Sequence, residues 1–408
     1  MRELNTMSVR QDGAVTLLVS MVLLIAATLL VLYVSGTVVG EQRMSANEVR
    51  SKQAFEAAQA AIELSIEHVN AGNDFQAASQ TALNSRWSSA NSSYRAMFCD
   101  SGTFPAAQQC ADLAANGITP ACTPPTAAVP PALADTTAWL VACGWSDDSS
   151  ARKRIVSFVA KADPLPGPIT NPLIAKGTVT FSGNSTVVNY FNNLTVWSGN
   201  TLANTGNTGK TVIRRPSSPA GQLTADQVDA QVGGGNQVCN VSQAPDLICT
   251  TSTGVFGPDV IQSDSSLALL TEDQFFENFL GLPPLEYKST MAEEVVPGGD
   301  AGSITEGGKV YWVDGDATIS QNIGSAAAPV VLVVDGNLTL SGTTTIFGVV
   351  FVKGNLTTSG TPKIRGAVIA SGVVNSAGTL NVIYDPDAIA GAKRSGKYAS
   401  AQGAWRDF

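Results

Sequence analysis

Residues Ala14–Val34 read AVTLLVSMVLLIAATLLVLYV, with no charge and no proline. A helix over these 21 residues rises about 1.5 Å per residue and spans roughly 31 Å, the thickness of a bilayer core. A secretory h-region is about 7–15 residues long and ends at a small-residue cleavage site. This run is longer, and Ser35-Gly36-Thr37 makes a poor site of that kind. The helical pattern also continues past it. Glu41–Val69 has no Gly or Pro and is rich in Ala, Glu and Gln, all good helix formers. Phe55, Ala58, Ile62, Ile66 and Val69 recur at spacings of three and four, while Glu56, Glu63 and Glu67 point elsewhere. Asn70-Ala71-Gly72-Asn73 supplies a stop. One helix is therefore expected from Ala14 to Asn70. Its first half (14–34) suits lipid or a helix bundle, and its amphipathic second half requires a partner surface.

The residues before and after the apolar run carry a family resemblance. Arg10-Gln11-Asp12-Gly13 followed by Ala14-Val15-Thr16-Leu17-Leu18 is similar to a class III prepilin leader. Glu41-Gln42-Arg43-Met44 and Ala54-Phe55-Glu56-Ala57-Ala58-Gln59-Ala60-Ala61 resemble the PilX N-terminal family of pilus assembly proteins, over about Arg10–Glu67. The resemblance implies a leader of residues 1–13 that a prepilin peptidase removes by cutting between Gly13 and Ala14. It implies residence in the lipid of a bacterial inner membrane with an extracytoplasmic head, then a place on a pilus or cell surface. It also implies packing against other minor or major pilins, for which Leu18, Phe55, Ile62 and Ile66 are the candidate helix-packing residues. Orientation follows from the resemblance and not from charge, since Arg2 and Arg10 precede the span while Arg43, Arg50 and Lys52 follow it. One position departs from the major-pilin pattern. Major pilins carry Glu at the fifth mature position, where this chain has Leu18. The departure implies a minor pilin acting in assembly, priming or at the tip. A simple signal anchor is the alternative for the N-terminus.

Bulk properties narrow the rest. The chain has 408 residues, a net charge of −9 and 14% charged residues. Its length suggests two or three domains. The one short basic run, Arg152-Lys153-Arg154, does not supply the clustered cations that nucleic acid requires. With His68 as the single histidine, imidazole catalysis and multi-histidine metal sites find no support. The six cysteines, Cys99, Cys110, Cys122, Cys143, Cys239 and Cys249, include no CxxC pair. An even count in an exported chain fits disulfides. Cys239 and Cys249 are expected to close a small loop, and the connectivity of the other four stays open.

Between the helix and the C-terminal half, residues 71–162 read as a small disulfide-stapled α+β domain. Thr119–Pro131 holds five prolines and is a loop. Ala138–Ala142 and Arg154–Ala160 read as strands of a small pilin-like sheet packed on the amphipathic helix. Asp163–Pro172 (DPLPGPITNP) has four prolines and reads as a semi-rigid linker holding the next domain away.

From Leu173 short β-branched strands alternate with Gly, Asn and Ser turns. Val313–Ser320, Val334–Ser341 and Val352–Ser359 are copies that start 21 and 18 residues apart, and Ile174–Gly183 and Asn193–Gly199 are weaker copies. This period predicts a parallel β-solenoid over 173–390, with an antiparallel β-sandwich as runner-up. The pattern is also similar to the β-helical heads of some PilX-like proteins and, loosely, to bactofilin repeats. An insertion at about 220–300 contains Thr271-Glu272-Asp273-Gln274, a capping-box match followed by Phe275, Phe276, Phe279 and Leu280. The helix it starts either covers a flank of the repeats or offers an exposed docking face to a partner pilin. Residues 391–408 form a C-terminal tail. The fold class is thus α+β.

No catalytic set and no cofactor site stands out. Asp314, Asp316 and Asp335 could supply oxygen ligands, but their Asp-Gly context is explained by turn chemistry. The Asn-x-Ser/Thr patterns at Asn184, Asn193, Asn337 and Asn355 arise by chance in an Asn/Thr-rich repeat. The expected function is structural and non-enzymatic. The alternatives are a membrane-anchored adhesin binding a surface glycan, and a polysaccharide-active enzyme that uses the aspartates.

Overall fold

The computed structural model describes residues 12–71, 85–86, 93–100, 137–204, 210–219, 221, 223–232, 239–251, 255–401 and 406–407. Cys110 and Cys122, the leader before Asp12 and the Pro-rich Thr119–Pro131 lie outside the described residues.

Helix α1 runs unbroken over Asp12–Asn70. At about 1.5 Å per residue it is close to 90 Å long. Among the described side chains, those of Val15–Val39 are all exposed. From Ala54 onward Ala54, Ala57, Ala58, Ala61, Ile62, Ser65 and Val69 are buried. The buried face is therefore turned from the expected Phe55/Ile66 line toward the alanines, and Phe55 and Ile66 pack at its margin. The small side chains let a sheet come close. A Cβ on Gly144 would lie 2.1 Å from the Ala54 carbonyl oxygen and 2.4 Å from the Ala58 nitrogen, so only glycine fits there.

That sheet begins with β1 (Ser85–Arg86), β2 (Ser93–Asp100), β3 (Ala138–Trp145) and β4 (Arg152–Lys161), all antiparallel neighbours in this order. Tyr94, Ala96, Phe98, Leu140, Ala142, Ile155 and Val159 face the helix. Met97, Cys99, Val141, Cys143 and Val156 are buried on the other face. Cys99 and Cys143 are both disulfide-bonded. Cys99 stands opposite Trp139 and Cys143 opposite Arg95. That is four residues apart along the strands, roughly 13 Å, too far for one bridge between them. Their partners lie outside the described residues.

The segment 163–172 is not a free-standing spacer. Leu165 and Ile169 are buried against the β region, Tyr287 donates a hydrogen bond to the Pro164 carbonyl, and the Gly167 N–H donates to the Phe279 carbonyl. Its prolines fix the backbone in an extended shape that lies along the next domain instead of keeping it at a distance.

The β region contains two sets of strands. One comprises β5 (Leu173–Ala175), β7 (Thr186–Asn189), β8 (Val196–Ser198), β10 (Lys210–Arg214), β11 (Leu247–Cys249), β12 (Val260–Ile261), β13 (Glu294–Pro297), β14 (Val310–Asp314), β16 (Val330–Asp335), β18 (Thr345–Val352), β20 (Lys363–Ala370) and β22 (Asn381–Ile383). The other comprises β6 (Val179–Phe181), β9 (Leu202–Asn204), β15 (Ala317–Ile319), β17 (Leu338–Leu340), β19 (Leu356–Thr358) and β21 (Val374–Ser376). Apart from the antiparallel β10–β11 pair, the described pairings in this region are parallel. Val313 pairs with Val334, and Val334 with Val352, which reproduces the steps of 21 and 18 read from the copies.

Spatial order departs from chain order. The first strand of the region, β5, pairs with β20, so Leu173 lies beside Val368. β22 pairs with both β20 and β7. The chain thus enters the stack in its middle, builds outward through β7–β10, then starts again from the far side at β13 and returns to the middle at β22. The weaker copy Ile174–Gly183 lies one rung beyond the last strong one, with β20 and β21 between them.

Strands β14, β16, β18 and β20 are buried on both faces, which explains their continuous apolar runs such as VVLVV. Tyr311, Val313, Leu332, Val334, Val350 and Val352 fill the interior. Trp312, Val331, Val333, Val349 and Phe351 face outward and are covered by the helix Glu272–Leu280. That helix has the expected capping box at Thr271 and ends at Gly281, at φ +77°. Phe275, Phe276 and Phe279 are fully buried, which removes the exposed docking face. The Cys239–Cys249 disulfide is present. It sits beside the helix Ala225–Val232, whose Val228 and Val232 close one end of the stack with Leu247.

The C-terminal segment expected as a tail contributes strands to the first sheet. After the helix Pro386–Lys393 the chain returns to the first sheet as β23 (Tyr398–Ser400) and β24 (Arg406–Asp407), both antiparallel to β4. Tyr398 pairs with Lys161. The whole β region is therefore inserted between two neighbouring strands of the small sheet.

Candidate assembly interface

The expected functional residues of the N-terminus all fall on α1. Gly13 and Ala14, the two sides of the expected cut, lie in its first turns. From Ala14 to Gly40 there is no charged residue, and Glu41 is the first. The apolar window inside α1 has none of its residues buried by the rest of the chain. Leu18, at the position where a major pilin has Glu, is 63% exposed. Three of the hydroxyls in this stretch are locally satisfied. Ser20, Thr28 and Thr37 donate to the carbonyls of Leu17, Ile25 and Val34 at 2.8–2.9 Å. A hydroxyl that bonds its own helix presents no open donor to hydrocarbon. This half presents a continuous apolar surface that the rest of the described chain leaves uncovered.

The second half is held to the head by three contacts that local sequence reading missed. Gly144 admits the helix backbone, as described above. Arg50 pairs with Asp148 of the β3–β4 turn at 2.7 Å. Hydrogen bonds from Ser150 and then Ser146, with Arg50 adding its charge, hold the Asp148 carboxyl down to about 2. Asn70, at the helix end, uses its side-chain amide as a strand would. Its Nδ2 donates to the Tyr398 carbonyl at 3.0 Å, and its Oδ1 accepts from the Tyr398 N–H at 2.7 Å. Each contact joins residues far apart in sequence, so no periodicity announces it. Ile62 and Ile66 line a groove of about 580 Å³ between α1 and Lys397–Ser400. Phe55 does not line it.

The aspartates on the turns are occupied within the protein. Asp314 accepts from Lys288 Nζ at 2.7 Å and from Trp312 Nε1 at 2.8 Å, which lowers its pKa. Asp316 accepts from the backbone and side-chain amides of Asn337, with the same direction of shift. Asp335 pairs with Lys353 at 2.6 Å. Among the described residues, no three His, Cys, Asp or Glu side chains cluster in a way that could hold a metal.

Comparison with known proteins bears on the first part of this interface. Residues 12–63 match the family model described as PilX N-terminal. The N-terminal segment is PilX-like. Together with the long uncovered helix, the match supports a PilX-like type IV minor pilin and anchoring of the chain in an inner membrane. The PilX-like segment ends at Glu63, two turns before α1 does, and leaves the β region outside the match. No curated protein and no solved structure matches the chain.

Proposed function

We propose that this chain is a minor-pilin-like subunit of a type IV pilus or related filament, working in assembly and priming or at the tip. The observation that carries the reading is the division of a single helix. Val15–Val39 is uncovered and apolar, whereas Ala54–Val69 is clamped to a sheet. A prepilin peptidase cutting between Gly13 and Ala14 would leave the uncovered half as the new N-terminus. It would rest in inner-membrane lipid with the head outside, and then exchange lipid for the helices of other pilins.

Leu18 sets the subunit's place. A buried amine without a partner charge is costly in an apolar environment. Glu at the fifth mature position would neutralise a neighbour's terminal amine, and Leu18 does not. Such a subunit starts or ends a row better than it continues one. We read the β region as a β-solenoid, supported by parallel steps of 18 and 21 residues. The bonded cysteines suit an oxidising compartment. With Asp314, Asp316 and Asp335 already engaged, the head is read as a binding or structural part and not as an enzyme.

The test is Gly13→Ala in cells that carry a prepilin peptidase. The mature chain should lose its shortened mass, remain in the inner membrane and be absent from sheared filaments. An unchanged mass would refute the reading.

A further inference from the structure

We infer that the outer face of the first five strands of the sheet β15-β17-β19-β21-β6-β9 is a binding surface for a neutral, insoluble polysaccharide. The inference rests on the solenoid reading of the head and not on the pilus reading.

Each of these strands is three residues long, with its first and third side chains buried and its middle one outside. Register places the middle residues in one row: Thr318, Thr339, Thr357, Asn375 and Thr180. Parallel strands lie about 4.8 Å apart, so the row extends about 19 Å with one polar group per step. None of the five side chains makes a hydrogen bond among the described residues. A second row beside it, Asp316, Asn337 and Asn355, spends its oxygens on the next rung's backbone N–H groups. Asp316 is the one charged member of the two rows, and Asn337 holds its carboxylate.

The edges of the face are flat. A glycine stands two residues before each of β15, β17, β19 and β21, and two residues after each of β17, β19 and β21. Their role is close stacking. A Cβ on Gly354 would lie 2.6 Å from the Gly336 oxygen, and one on Gly360 2.5 Å from the Gly342 oxygen. The result is a series of rungs stacked in close backbone contact at both corners.

These features select the occupant. In a chain of net charge −9, these two rows hold no cation and a single carboxylate, Asp316, so an acidic polymer finds no counter-charge there. It has no aromatic ring in its row, so a single soluble sugar finds no stacking platform. What it offers is a regular series of unspent hydroxyl and amide groups. A single hydrogen bond exchanged with water contributes little. A ligand that meets all five rungs at once gains by multivalency. The ordered surface of an insoluble, uncharged glycan, itself a periodic array of hydroxyls, supplies such contacts.

The full-length chain in detergent micelles would be sedimented with suspended cellulose, chitin and cross-linked polygalacturonate. The expected result is co-sedimentation with a neutral polymer that added salt does not weaken. The paired substitutions Thr339→Lys and Thr357→Lys should lower retention at least about tenfold, equivalent to about 1.4 kcal/mol. Thr318→Lys with Asn375→Lys should do the same, and thermal unfolding would show which pair retains the fold. Absence of retention on both neutral polymers overturns the inference. So does retention that survives both pairs, or a preference for the acidic polymer. Processing at Gly13 is scored in the same samples, and its failure would bear on the pilus reading alone.

Discussion

Asp148 shows how much a long helix can depend on one side chain. The carboxylate accepts from Ser146 and Ser150 and pairs with Arg50, tying the β3–β4 turn to α1. Its pKa falls from 3.8 to about 2 in the folded chain. A depressed carboxylate stabilises the fold above its unfolded pKa, and that contribution is lost as pH falls through the folded value. The contact should therefore be at full strength above about pH 4 and gone below about pH 2. Denaturant midpoints measured across that window should fall for the parent chain. They should fall less for Asp148→Asn, which has no charge to lose. Solvent screens this exposed group, so the difference between the two chains is small. None of this was legible at Asp148 itself, which sits in an ordinary Asp-Asp-Ser-Ser turn. Gly144 was equally silent. Its requirement comes from Ala54 and Ala58, some ninety residues earlier in the chain.

At the scale of elements, the sequence patterns with local causes could be read and those with remote causes could not. The helix Glu272–Leu280 was legible because its capping box, aromatic spacing and terminal glycine lie within eleven residues. Its direction of burial was not, because four phenylalanines and leucines on one face suit a partner as well as a core. Phe276 settles it, with ring contacts to Tyr287, Trp312 and Phe351 at 5.5, 6.0 and 5.0 Å. Phe276→Ala should cost the β region about 3–5 kcal/mol, as for other buried aromatics. Thr271→Ala at the cap should cost about 1 kcal/mol. Separate unfolding transitions, followed by tryptophan fluorescence and by helix dichroism, would check both values. The strong strand copies were legible from their β-branched runs and glycine corners. Their order in space was not, since the β5–β20 pairing joins residues almost two hundred positions apart. Strand β2 and the return strands β23 and β24 are short or weakly patterned, and escaped notice for that reason. The pilin-like end of α1 was the most legible part, because the family signal and the apolar run occupy the same residues.

On the scale of the whole molecule, the chain leaves the small sheet at Lys161 and rejoins it at Tyr398, directly opposite. The two points are about one strand spacing apart, roughly 4.8 Å. An excursion that begins and ends at one place costs its host little beyond loop closure. Replacing residues 164–395 with a short Gly/Ser loop should leave α1, β2–β4 and β23 folded, with Cys99 and Cys143 still oxidised. Helix dichroism and thiol titration of the shortened chain would report this. Loss of the helix signal would mean that the stalk needs its head.

The same geometry has a mechanical consequence. The stack is held near its midpoint, like the crossbar of a T, by two strands side by side. A load on either outer end of that bar acts as a torque about the attachment, and both strands resist it together. Because β4 and β23 run antiparallel and join the head at the same end, a pull on the head loads both strands in one direction, and the hydrogen bonds between them keep them together. A subunit that carries its head this way can be dragged across a surface from any side without trailing it on a single thread.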